Sequence, residues 1–210
     1  MRTAPSQAAH DRRRARLAEQ FTQIVEDMLE GGESYSELSV ERLIRAADIS
    51  RSTFYVYFPD KGELLSAMAE RVTAELSDAG AAWFQLPDNG TPEDLRVSLR
   101  ALFATYQRHR HILGAVSEAA AYDTRLRERH GLLVEAAVTG LREHIEAAQR
   151  AGSAAPTLDA HRTAEWLTWM LERGLYQLVG PAATDEREQL LSAVTDLAWR
   201  ALYAGYRGAP

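Results

Sequence analysis

No cysteine occurs anywhere in the 210-residue chain, which excludes disulfides, thiolate metal sites and cysteine nucleophiles. Lysine is almost as scarce, because Lys61 is the only one among 24 lysines and arginines. No run of about 18 apolar residues is present, so a membrane-spanning helix is not expected. Arg12, Arg13, Arg14 and Arg16 are not followed by an apolar stretch, so the N-terminus does not read as a secretory signal. A cytoplasmic protein is expected. Enzymatic constellations are missing as well: there is no GxSxG elbow, no phosphate-binding GxxxxGK(S/T) loop and no GxGxxG turn. His109 and His111 stand two apart and do not share a helical face, while His130, His144 and His161 read as surface or capping residues. Catalytic residues, metal ligands and cofactors are therefore not expected.

Acidic residues outnumber basic ones, giving a net charge of −6. That balance weighs against a protein that coats nucleic acid without selectivity, since neutralising phosphates needs basic side chains. The distribution is uneven. Residues 1–18 carry five arginines and one aspartate, and residues 42–61 carry four basic against two acidic side chains. Positive charge is thus gathered in the N-terminal third.

Strand-like alternation is absent, and apolar spacing reads as helix almost throughout. Leu17, Phe21, Ile24, Val25, Met28 and Leu29 mark an amphipathic helix that Gly31-Gly32 ends. Ser39 reads as the N-cap of a short helix carrying Val40, Leu43, Ile44 and Ala47. Ser50 reads as the cap of another that runs to Phe58 and is stopped by Pro59. A fourth helix begins near Lys61. Pro87-Asp88-Asn89-Gly90 is a loop, and Thr91-Pro92-Glu93 opens the next helix. Further helices are predicted over 110–121, 124–150, 158–179 and 185–206. The fold class is all-α with about nine helices. The last two helices are apolar around much of their circumference, which suits a homodimer pairing them with their symmetry copies as a four-helix bundle, with a thick core inside one chain as the alternative.

Residues 39–61, SVERLIRAADISRSTFYVYFPDK, carry the functional signal. Ile49, Phe54 and Phe58 can pin the second short helix on the first, leaving Arg51, Ser52, Thr53, Tyr55, Val56 and Tyr57 outward. An outward arginine beside tyrosines and a valine suits the major groove, where arginine reads guanine and an apolar group meets a thymine methyl. Hydroxyls of Tyr and Thr suit phosphate oxygens.

The run from Ile49 to Leu65, ISRSTFYVYFPDKGELL, resembles the signature of the TetR family of transcriptional regulators. The closing segment, with His161, Met170, Glu172-Arg173 and an aromatic-rich last helix, is similar to that family's ethionamide-activation repressors. The resemblance implies a tail at 1–11, a three-helix DNA-binding domain at 12–62 and a helical ligand-binding and dimerisation domain at 63–210. It implies base contacts from Arg51 and Ser52. Thr53, Tyr55, Tyr57 and Lys61 would hold phosphates, and Ser39 would start a helix whose N-terminus touches phosphate. Val56 would reach a thymine methyl or make no contact. The effector implied is small and hydrophobic, in a cavity walled by Leu99, Phe103, Tyr106, Val138, Leu141, Thr168, Leu171 and Tyr176, with Glu172 binding a polar group of the ligand or forming a salt bridge. The partners expected are double-stranded operator DNA, the effector and a second copy through 158–179 and 185–206. The function expected is that of a repressor released from a palindromic operator. Ligand-independent DNA binding and activation are the alternatives.

Overall fold

A computed structural model describes residues 7–203 of the chain. Its helices are α1 (Gln7–Glu30), α2 (Val40–Ala46), α3 (Arg51–Tyr57), α4 (Lys61–Phe84), α5 (Pro92–Arg108), α6 (Arg110–Ala120), α7 (Thr124–Arg150), α8 (Ala160–Gly174) and α9 (Thr184–Leu202). A π-helical turn, Leu175–Val179, continues α8. Among the described residues there is no strand, and no helix is long and apolar enough to cross a membrane. The expected all-α class is observed. One detail of the N-terminus differs: residues 7–11, expected in a tail, form the first turns of α1, and residues 1–6 lie outside those described. The end of the last predicted helix, beyond Tyr203, lies outside them too.

The contacts divide the chain into two compact units, one of residues up to Ala74 with His111–Leu126, the other of Glu75–Arg110 with the residues from Arg127 onward. In the first unit the buried stripe of α1 is Leu17, Phe21, Val25 and Leu29, while Ile24 and Met28 stay half-buried. Phe21, Phe54 and Phe58 are fully buried and meet edge-on or tilted, with ring centroids 5.6–6.0 Å apart. Such edge contacts favour aromatic pairs beyond their area of burial. Glu26, on the buried side of α1, accepts a hydrogen bond from the Ile112 backbone at the first turn of α6, 3.2 Å away. A carboxylate there complements the positive end of that helix.

The second unit is organised by α5, whose Leu95, Leu99, Leu102, Phe103 and Tyr106 are buried. Thr91 and Asp94 form a reciprocal capping box at its start, with proline in the first turn, which satisfies donors that the helix itself leaves free. Gly140 of α7 permits a close approach: a Cβ there would lie 2.9 Å from the Phe84 ring. His144, expected at the surface, is instead buried between Phe84 and Tyr203. The Phe84 carbonyl can only accept, so His144 Nδ1 carries the proton on that side, at 2.9 Å. Its Nε2 faces the Tyr203 hydroxyl at 2.5 Å, and Trp83 Nε1 donates to the same hydroxyl at 3.3 Å. His109 is buried as well, 3.0 Å from Glu75.

Candidate nucleic-acid interface and the effector residues

The joint between α2 and α3 is built from two caps laid end to end. Asp48 takes a left-handed φ of 51°. That lets its N–H reach the Arg45 carbonyl at 3.3 Å and the Ile49 N–H reach the Ile44 carbonyl at 3.1 Å, the bond pair of a Schellman ending. The next residue, Ser50, begins α3, and its hydroxyl accepts from the Thr53 N–H at 3.0 Å. Ser39 caps α2 in the same way through the Arg42 N–H. The turn is therefore four residues long, with left-handed Asp48 closing α2 and extended Ser50 opening α3.

With Phe54 and Phe58 sealed in the core, helical periodicity turns the rest of α3 outward. Arg51, Ser52, Tyr55 and Val56 are exposed, Val56 at 61%. Arg51 is held by the Glu41 carboxylate at 2.7 Å and lies over the Tyr55 ring at 5.6 Å. Ser52 and Thr53 both direct hydroxyls to the Ser50 hydroxyl, at 2.9 and 2.8 Å. Tyr57 is half-buried because His10 of α1 stacks on it at 4.8 Å, with His10 Nε2 3.4 Å from the Val56 carbonyl. Sequence reasoning overlooked His10 and Glu41, and no local spacing could have marked the first, which lies 46 residues from its partner.

Lys61 is placed differently from its neighbours. Its ammonium donates to the carbonyls of Tyr35, Ser36 and Leu38, each at 2.9 Å, and lies 5.1 Å from the Tyr35 ring. Tyr35 in turn donates its hydroxyl to the Lys61 carbonyl at 2.8 Å. Partial burial lowers the Lys61 pKa, and burial with nearby Asp60 raises that of Tyr35. Of the N-terminal arginines, Arg14 pairs with Glu63 and Glu70 and lies over Phe58, whereas Arg12, Arg13 and Arg16 are exposed.

The residues expected around an effector all belong to the second unit. Leu99 and Leu141 are core residues, each 1% exposed, and Phe103, Tyr106 and Val138 are also buried. Thr168, Leu171, Glu172 and Tyr176 are half-buried along one side of α8 and its π turn. Glu172 Oε1 lies 3.3 Å from His130 Nε2. An open concavity of about 580 Å³ lies elsewhere in this unit, between Gln85 and Ser98, and includes none of these nine residues. On α8, the π turn and α9, Trp166, Trp169, Met170, Leu178 and Leu197 are exposed, Trp166 at 78%. On the same helices Leu167, Leu175 and Leu191 are buried.

A family model of bacterial regulatory proteins of the TetR family matches residues 30–68, and the C-terminal domain model of the transcriptional regulator EthR matches residues 95–204. The chain is 30% identical to the HTH-type transcriptional regulator EthR of Mycobacterium tuberculosis over 142 residues, covering 67% of this chain and 66% of that one. The match thus spans just under two thirds of that regulator's length. The EthR regulator of Mycolicibacterium smegmatis is 26% identical over 178 residues, 80% of this chain and 78% of that one. A TetR-family regulator from Pectobacterium atrosepticum shares the fold with a TM-score of 0.73 at 20% identity, covering 97% of this chain and 100% of its own. PfmR from Thermus thermophilus gives 0.66 at 19% identity, over 86% of this chain and 97% of its own.

Proposed function

Because the chain belongs to the TetR family of transcriptional regulators, with an EthR-type C-terminal domain, we propose that it is a cytoplasmic, homodimeric repressor released from a palindromic operator by a small ligand. The observation that carries this reading is the outward face of α3. Arg51, Ser52, Tyr55 and Val56 project from a helix whose Phe54 and Phe58 are fully buried, so the reading surface is rigidly presented.

In this reading residues 12–62, with the helical residues 7–11 added, form the DNA-binding domain, and 63–210 bind the ligand and the second copy. Arg51 exchanges Glu41 for the O6 and N7 acceptors of a guanine, and Ser52 contacts a neighbouring base edge. Thr53, Tyr55 and Tyr57 fix register on phosphates, joined by the N-terminus of α2 at Ser39. Lys61 is assigned a different task from the phosphate contact its position implied. Its three donors already meet carbonyls, so it secures the 35–38 loop to the start of α4.

The exposed tryptophans and leucines of α8, the π turn and α9 supply the dimer contact. Two copies then present their α3 helices one DNA turn apart, about 34–36 Å, or at a related spacing. A ligand releases the operator by favouring a conformation with another spacing, with a coupling of about 1–3 kcal/mol. Selection of bound DNA from a random pool tests the reading. A palindromic enriched site is expected, and failure to enrich any sequence refutes it.

A further inference from the structure

One carboxylate oxygen in the second unit has no explanation within the fold. Glu172 Oε2 is buried and has no hydrogen-bond partner, while Oε1 of the same carboxylate faces His130. Leaving a charged acceptor unsatisfied away from water is unfavourable, and such a group in a native protein calls for a reason. Its surroundings give one. Glu172 lies half-buried on α8 with Thr168 and Tyr176, and burial above all, with the charges of Glu172 and Tyr176 adding to it, raises the phenol pKa of Tyr106 on α5.

The backbone is irregular at the same place. The turn Leu175–Val179 is π-helical, and the Gly180 N–H returns to the Leu175 carbonyl at 2.8 Å. Widened turns of this kind recur at functional sites because they redirect side chains. Gln107 of α5 donates to the Val179 and Gly180 carbonyls that this turn leaves free. At Gly180 a Cβ would lie a tight 3.0 Å from the Tyr176 carbonyl and in ordinary contact, 3.6 Å, with the Tyr106 ring. An unpaired carboxylate oxygen, Tyr176 and a locally widened turn thus follow one another along α8, and the Tyr106 ring lies beside the end of that turn at Gly180.

We infer that this cluster receives a ligand with a cationic or N–H donor head, such as a protonated amine, on an apolar body, with the head on Glu172 Oε2 between Tyr106 and Tyr176. This sharpens the hydrophobic effector of the proposed function, and it rests on the reading of 63–210 as the ligand-binding domain. The donor satisfies the lone oxygen, the Tyr106 ring favours a cation, whereas the Tyr176 ring already carries the Arg173 guanidinium 5.9 Å from its centroid, and His130 keeps the carboxylate oriented. A neutral hydroxyl head of the same size offers one uncharged donor and is held more weakly, and an anionic head is repelled by the carboxylate.

The test uses the full-length protein with two matched pairs of probes, octylamine with octanol and phenethylamine with phenethyl alcohol. Binding is followed by calorimetry. Each amine is expected to bind about tenfold or more tightly than its alcohol, the scale of a charge-assisted hydrogen bond. Glu172→Gln, checked for an unchanged melting profile, is expected to abolish that preference. The wild-type ratio needs no variant, so a Glu172→Gln protein that does not fold still leaves the inference decidable. Equal binding of amine and alcohol, no binding of either amine, or a preference that survives Glu172→Gln overturns it. Operator affinity is measured alongside. Amines that bind through Glu172 without loosening the operator uphold this site and count against ligand-controlled release, whereas release by the alcohols as readily as by the amines overturns this site and leaves release standing.

Discussion

Arg51 is restrained in the free protein by Glu41 and by the Tyr55 ring. Both partners are solvent-facing, so together they hold the guanidinium weakly. That is what a reading arginine requires, because it must leave its resting partner when a base edge arrives. Glu41→Gln removes the resting carboxylate and one negative charge from the DNA-facing surface. Affinity for operator and random DNA alike is expected to tighten by a few-fold, read by fluorescence anisotropy at fixed salt. Arg51→Ala should act differently, with a loss of about 1–3 kcal/mol confined to one base position. A loss spread evenly over all sequences would remove Arg51 from the readers. Tyr57 belongs to the same surface, and its stacking on His10 sets the direction in which its hydroxyl points.

Among the elements, the chain ends two helices with one motif and two different residues. At the end of α7, Gly152 holds φ at +76° while Gly152 and Ser153 close the bonds to the Gln149 and Ala148 carbonyls. At the end of α2, Asp48 performs the same service without glycine's freedom. Opposite outcomes follow for the two sites. Asp48→Gly is expected to raise stability by about 0.5 kcal/mol, whereas Gly152→Ala should lower it by about 1 kcal/mol, both read from denaturant midpoints. The capping box of α5 has its own acid signature. Hydrogen bonds from the Thr91 side chain and backbone lower the Asp94 pKa. A carboxyl lowered by folding stabilises the native state above its unfolded value, near pH 4, and that contribution is lost as pH falls through the folded value. Asp94→Asn should therefore flatten the acid limb of the melting temperature against pH.

These caps are why the helices were legible in the sequence. Ser39, Ser50 and Thr91-Pro92 announce their ends within four residues of the bonds they make. What stayed illegible was made by distant segments. Lys61 on the 35–38 carbonyls, His10 on Tyr57, and His144 with Tyr203 span 23 to 59 residues, and helical periodicity carries no information over such separations. Both sides of α8 and α9 are apolar, and spacing alone does not say which of them faces inward.

For the whole molecule, the exposed apolar residues of α8, the π turn and α9 make assembly a condition of function in the proposed reading. Trp166→Glu places a charge on the most exposed tryptophan of that face. It is expected to yield monomers by sedimentation and to weaken palindromic DNA binding far more than half-site binding. A variant that remains dimeric would move the contact elsewhere. The scarcity of lysine also has a use at this scale. An acylating reagent finds a single side-chain amine in the chain, and its three protons are directed to the carbonyls of Tyr35, Ser36 and Leu38. Acylation must wait for that loop to open, so its rate under native conditions becomes a clock for local unfolding. Adding operator DNA should slow the clock.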